Sequence, residues 1–339
     1  MSSLLGTDQP HALVAGAGGF IGGHLVARLL AEGQRVTAVD VKPLDRWYQL
    51  HPKALNLSAD LALREACQEV ADGVDEIYNL AADMGGIGFI ENNKAACMLS
   101  VLINTHLLLA ARDRGVGRYF YASSACVYPA YRQGSARVEA LCEDMAYPAE
   151  PEDGYGWEKL FAERMGRHFA EDFGLTVRIA RFHNVYGPYG SWDDGREKAP
   201  AALCRKVAEA VRDGREEIEV WGDGTRTRSF MYVDDCIEGI RRIMRSDVEQ
   251  PLNLGTSELI TVGDLARLVA RTAGVRLRHR YDTAAPQGVH GRNSDNTLIR
   301  AALGWAPGVP LAEGLRPTYA WIAAQVDAAA PVPSTTLGA

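Results

Sequence analysis

The 339-residue chain has no run of basic residues, and its 43 acidic side chains outnumber 36 lysines and arginines, for a net charge of −7. A nucleic-acid surface is not expected of that balance, and any anionic ligand must be held by a few local cations. None of the six cysteines (67, 97, 126, 142, 204, 236) stands at C-x-x-C spacing from another, which argues against a zinc centre or a dithiol redox pair. The opening MSSLLGTDQPHALVAG lacks the basic segment, apolar core and cleavage site of an export signal, and no stretch reads as long enough to span a bilayer. The expected location is therefore the cytoplasm, away from any membrane, where unpaired thiols are ordinary. The composition, 47% apolar and 23% charged, is that of a soluble globular chain long enough for one large or two interleaved domains.

The first half alternates short apolar runs with amphipathic stretches. HALVAG reads as a buried strand, FIGGHLVARLLAEG as a helix stopped at Gly33, and RVTAVD, EIYNLA, RYFYAS and TVRIAR as further strands. Apolar strands separated by helices predict a parallel sheet covered on both faces, a Rossmann-type doubly wound α/β fold. After about Arg181 the loops turn rich in glycine, aromatic and basic residues, as in YGPYGSWDDG and WGDGTRTRSF. The expected organisation is a dinucleotide-binding domain over 10–182, with elements near 220–255 returning to it. A smaller, interleaved C-terminal substrate domain takes 183–219 and 256–328, and the tail 329–339 is expected to be disordered.

VAGAGGFIGGHL sets Gly16, Gly19 and Gly22 between the first strand and a helix start. Glycines there permit a tight turn, close approach of backbone to a pyrophosphate, and close packing of helix on sheet. The helix start, at Phe20 and Ile21, presents free N–H groups to the phosphates. Asp40 ends the second strand, 18 residues past Gly22. A carboxylate there bonds the adenosine ribose and repels a 2′-phosphate, which favours NAD over NADP. Asp60 is a candidate contact for the adenine amine, and Leu80, Ala81 and Ala82, at the end of the EIYNLA strand, are expected to line the same cofactor.

In YGWEK, Tyr155 and Lys159 are four apart on an expected helix, so the ammonium can stand beside the phenol and favour its ionised form. With the glycine turn and Ser123-Ser124 at a strand end, the pair resembles the extended short-chain dehydrogenase/reductase family. That resemblance implies that Tyr155 is the acid/base, Lys159 its support, and Ser124 the hydrogen-bond partner of the reacting oxygen.

Further stretches narrow the resemblance: NLAADMGGIGFI (79–90), YASSACVYP (121–129), RFHNVYGPYGSW (181–192), GREKAPAALCRK (195–206), WGDGTRTRSF (221–230) and GRNSDN (291–296). In this order, from about residue 12 to about 325, they are similar to the GDP-mannose 3,5-epimerases, with Ile87 and the acidic SWDDG as departures. The resemblance implies a homodimer that binds GDP-mannose and NAD, oxidises C4 transiently, and inverts C5, C3 or both. A ketone at C4 makes the neighbouring C–H bonds acidic, and inversion then needs a base and an acid. Cys126 is the candidate base and Lys198 the candidate acid, while simple packing for the thiol and phosphate binding for the lysine stay open. By the same resemblance Gly85, Gly86, Asn184, Arg228 and Arg292 contact the nucleotide sugar, arginine matching phosphate oxygens in pairs. No metal is expected. The rivals are an NADPH-dependent 4-keto epimerase/reductase, which Asp40 disfavours, and a 4-epimerase on another nucleotide sugar, which has no use for the Cys126–Lys198 couple.

Overall fold

Five consecutive buried residues, His11–Ala15, form the first strand (β1) of the computed structural model, which describes residues 9–329. Six more strands join it: β2 (Arg35–Asp40), β3 (Leu55–Ser58), β4 (Glu76–Asn79), β5 (Arg118–Ser124), β6 (Thr176–Phe182) and β7 (Leu252–Leu254). All pair in parallel, in the order β3-β2-β1-β4-β5-β6-β7. The near-continuous apolar character of these strands follows from burial on both faces. One face is covered by the helices Phe20–Ala31 and Val233–Arg245 through Leu25, Leu29, Ile237, Ile240 and Met244. The other is covered by Arg64–Val70, Lys94–Arg114 and Tyr155–Phe173 through Cys67, Leu107, Leu108 and Ala162.

Chain order reverses between β1 and β4, and a doubly wound sheet opens a crevice at the carboxyl ends of its strands there. The glycine turn after β1 and the segment Leu80–Ala82 after β4 therefore flank one opening.

A second core joins the helices Ala199–Arg212, Val262–Thr272 and Leu311–Ala328 to a two-stranded parallel pair, Glu217–Trp221 with Arg278–Asp282. Packing divides the chain differently from the expected boundaries. The strand at 217–221 belongs to this second core, so the return to the sheet begins with Met231 and the helix at 233. Residues around the helix Thr297–Leu303 also return, because Ile299 is fully buried with the first sheet face. The expected disordered tail, apart from Ala329, lies outside the described residues.

The helix Lys94–Arg114 corrects the expectation that no stretch reaches bilayer length, since its 21 residues contain a window with mean hydropathy of 1.5. Its inward side buries Ser100 and Asn104 beside Leu107 and Leu108 against the sheet. Much of the apolar remainder is the exposed row Met98, Leu99 and Leu102.

Candidate active site

The glycine turn is built for a ligand that meets backbone. Gly16 has φ +83°, and a Cβ there would stand 2.9 Å from the Ala81 nitrogen; one on Gly22 would lie 2.1 Å from the Gly16 carbonyl oxygen. No side chain caps the helix that starts at Phe20, and its first turn holds no acid. Its N–H groups are thus left for an anion. Asp40, buried at the end of β2, accepts the Lys42 N–H at 3.0 Å. Asp60 is exposed, with Oδ1 accepting from the Ala62 N–H at 2.9 Å. Phe20 and Ile21 are half-buried at the helix start. This cradle, with a carboxylate at the second strand end, fits a dinucleotide without a 2′-phosphate.

A cleft adjoins the carboxyl end of β5 and is walled by both cores. Ser124, Cys126, Tyr155 and Lys198 line it together with Gly85, Gly86, Asn184, Arg228 and Arg292. Lys159 does not. Its ammonium lies behind the wall, 5.4 Å from the Tyr155 ring centre, donating to the Tyr121 hydroxyl at 3.1 Å and pairing with Glu158 at 3.5 Å.

Why these groups converge is a matter of local structure. The helix bearing Tyr155 begins at Tyr155 itself rather than earlier, because Gly154 has φ 66° and ψ −89°. Gly156 lets the helix approach closely: a Cβ there would come within 2.4 Å of the Cys126 carbonyl oxygen. Ser124 Oγ accepts the Cys126 N–H at 3.2 Å, closing the short 3-10 turn Ala125–Val127 at the end of β5. Beneath it Arg181 of β6 grips Glu163 of the helix with two bonds of 2.9 and 2.8 Å, and Ser123 of β5 donates to the same carboxylate. Lys198 precedes the helix Ala199–Arg212, in a loop held by the Gly85-Gly86 segment: Gly86 donates to the Arg196 carbonyl at 2.9 Å. Arg196 also bonds Asp83 at 2.6 Å and stacks over the Phe89 ring.

The electrostatics differ from the expected phenol–lysine couple. Burial raises Tyr155 well above the ordinary phenol range, Cys126 and Glu158 add to the rise, and Ser124 opposes it by hydrogen bonding. The Lys159 ammonium is engaged by Glu158 and Tyr121. Burial lowers Lys198 below the usual lysine range, against an opposing pull from Cys126 and Cys236. Such a lysine releases its proton more readily than an exposed one.

Two of the expected anion-binding residues have other partners. Arg228 donates to the carbonyls of Thr227, Gln287 and Val289, tying down the 287–289 loop. Arg292 donates to Gln133 at 2.6 Å, pairs with Glu152, and places Nη1 3.7 Å from Cys126 Sγ. Asn184 donates to the Ser229 carbonyl at 3.2 Å. The cleft also takes in Glu152, His183 and Trp221, which no sequence motif singles out, and Arg205 and Lys206, whose LCRKV segment fits either a nucleotide contact or the solvated side of a helix. Glu152 stands three residues before Tyr155 in PEDGYG, a proximity that is legible. Lys206 reads as the solvated side of a helix, yet its ammonium bonds the Glu219 carbonyl at 3.1 Å and lies near the Trp221 ring. Among the described residues no group of three His, Cys, Asp or Glu is placed to hold a metal.

The profile of the NAD dependent epimerase/dehydratase family matches residues 12–255. GDP-mannose 3,5-epimerase 1 of Oryza sativa subsp. japonica is 45% identical over 316 residues, which is 93% of this chain and 82% of the rice protein. The GDP-mannose 3,5-epimerase of Arabidopsis thaliana matches to the same extent, 45% over 316 residues, with 93% and 82% covered. Among solved structures, a UDP-glucose 4-epimerase of Thermotoga maritima with UDP-glucose superposes with a TM-score of 0.83 at 25% identity, covering 93% of this chain and 99% of that one.

Proposed function

Since this chain belongs to the NAD-dependent epimerase/dehydratase family, we propose that it epimerises GDP-mannose at C5, C3 or both through a transient C4 ketone, giving GDP-L-gulose, GDP-L-galactose or both. The observation that carries this reading is the meeting of Cys126 and Lys198 with Ser124 and Tyr155 in one cleft. The Gly16–Gly22 turn and Asp40 would hold NAD, which when bound would supply a hydride acceptor for C4 that is regenerated within each cycle.

The chain's own groups move the protons. Ser124 Oγ and Tyr155 Oη hold the C4 oxygen, and Tyr155 exchanges a proton with it. Burial favours the protonated phenol, the form that reduction of the ketone needs; the oxidation runs this transfer in reverse, the C4 hydroxyl proton passing to the Tyr155 phenolate. Cys126 Sγ takes the proton from the carbon next to the ketone, and the C–H electron pair passes into an enolate. Lys198 Nζ returns a proton to that carbon from a different wall of the cleft. A 4-epimerase would leave this second pair without a task.

The helices Lys94–Arg114 and Tyr155–Phe173 lie side by side and expose Met98, Leu99, Leu102, Trp157 and Phe161. A second copy of the chain covers this row in the proposed homodimer, and Phe161→Glu is expected to release monomers in sedimentation. All six thiols are unpaired, in keeping with a cytoplasmic enzyme.

The test is incubation of GDP-mannose with the protein and catalytic NAD in heavy water. Deuterium on ring carbons, without net NADH, supports the reading. An absence of wash-in, or a stoichiometric demand for reductant, overturns it. Product NMR then assigns C3 and C5.

A further inference from the structure

Glu152 has no part in the chemistry described, yet it touches Cys126 by two routes. Its N–H donates to the Cys126 carbonyl at 2.9 Å. Its carboxylate pairs with Arg292, whose Nη1 points at Cys126 Sγ from 3.7 Å. Arg292 is buried and anchored from a further side by Gln133 at 2.6 Å, so the guanidinium is fixed between a thiol and a carboxylate. We propose that Glu152 is a positioning residue that sets the basicity of Cys126 by sharing Arg292 with it.

The physical reason lies in what a proton-abstracting thiol needs. A lone buried guanidinium beside sulfur stabilises thiolate strongly, and a thiolate stabilised too far is a weak base. A carboxylate on the far side of the same guanidinium offsets part of that charge. The sulfur then keeps enough basicity to take a proton from carbon, while Arg292 still supports the anion. Other groups also face Cys126. Tyr155 and Cys97 pack against it from two helices, and Lys198 and Arg228 act on it across the cleft. The two remaining cations bias the thiol in the same sense as Arg292. Glu152 is the carboxylate that counters them through a direct contact with the arginine.

The importance of this device for turnover rests on the epimerase reading, but the state of the thiol does not. The test is therefore chemical. The full-length protein is treated with iodoacetamide across pH 5 to 10, and alkylation of the Cys126 peptide is timed by mass spectrometry. Removing the carboxylate charge in Glu152→Gln, which keeps an acceptor for Arg292, is expected to lower the midpoint by about one pH unit. Alkylation below the midpoint then runs about tenfold faster. Glu152→Asp keeps the charge and should restore the original midpoint. Arg292→Gln should move it upward. A midpoint unchanged or raised in Glu152→Gln overturns the proposal. Should that variant fail to fold, an unmoved midpoint in Arg292→Gln overturns it equally. If the alkylation shifts occur while no protein exchanges deuterium into GDP-mannose, the role of Glu152 stands and the substrate reading falls.

Discussion

Arg181 and Glu163 form a bidentate ion pair in which both side chains are almost wholly buried. The pair joins β6 to the helix bearing Tyr155, and Ser123 of β5 donates to the same carboxylate. It thereby holds the phenol in register with Ser124, at the next position along β5. Removing one partner strands a buried charge, at a cost of about 3–5 kcal/mol. Glu163→Gln is expected to lower the denaturant midpoint accordingly. A midpoint within error of the parent protein would show that the pair is dispensable.

Gly86→Ala tests the clamp on Lys198. The added Cβ would stand 2.6 Å from the Glu197 carbonyl oxygen, so the loop before Lys198 must move. Displacement of a reacting group by about 1 Å costs on the order of 10² in rate. Turnover should fall by that order with NAD affinity unchanged, as read by isothermal titration.

Cofactor choice should follow Asp40. A carboxylate facing a 2′-phosphate leaves two negative charges uncompensated. NAD should bind far more tightly than NADP by calorimetry, and Asp40→Ser should narrow the gap. Equal affinities in the parent protein would mean that Asp40 does not meet the ribose.

Redox and proton transfer should separate by mutation. Tyr155→Phe is expected to bind GDP-mannose and NAD but form no 4-ketone. Cys126→Ser and Lys198→Met leave Ser124 and Tyr155 in place, so transient NADH should still appear on adding substrate. Epimerised product should fall by about 10² to 10⁴. If Cys126 alone removes the proton, the lysine variant still exchanges deuterium with retained configuration. Epimerisation by Cys126→Ser at the parent rate would reduce the thiol to packing.

His183 predicts a pH dependence of stability. Burial lowers it from 6.5 to about 4, against a hydrogen bond to Asn253. Its folded-state pKa lies below the unfolded value, so between those values the unfolded chain binds the proton and the native one does not. The contribution is complete above pH 6.5 and is lost as pH falls towards 4, amounting to about 3 kcal/mol. Unfolding free energies of the parent and His183→Asn should diverge by that amount across the window. Parallel curves would contradict the burial of a neutral imidazole.

The sheet was legible because its information is local. HALVA is apolar after its first residue, RVTAVD carries β-branched and small residues between a polar start and end, the glycine turn bends sharply, and a helix of amphipathic period follows. Asp40 and the Tyr155–Lys159 spacing follow from the same short-range regularities, which is why the cofactor side of the site could be proposed residue by residue. The substrate side was legible only as a set of resembling motifs, whose order along the chain says nothing about which side chains touch. Tertiary structure decided that Lys159 sits behind the wall with Glu158, that Arg228 directs its donors to carbonyls, and that Arg292, at the cleft wall, meets Gln133, Glu152 and Cys126. Each outcome depends on burial and on partners that are either adjacent in sequence or 38 to 166 residues away. Charge in a buried cleft is set by these few contacts, since little water remains to screen them, and residue type alone does not specify them.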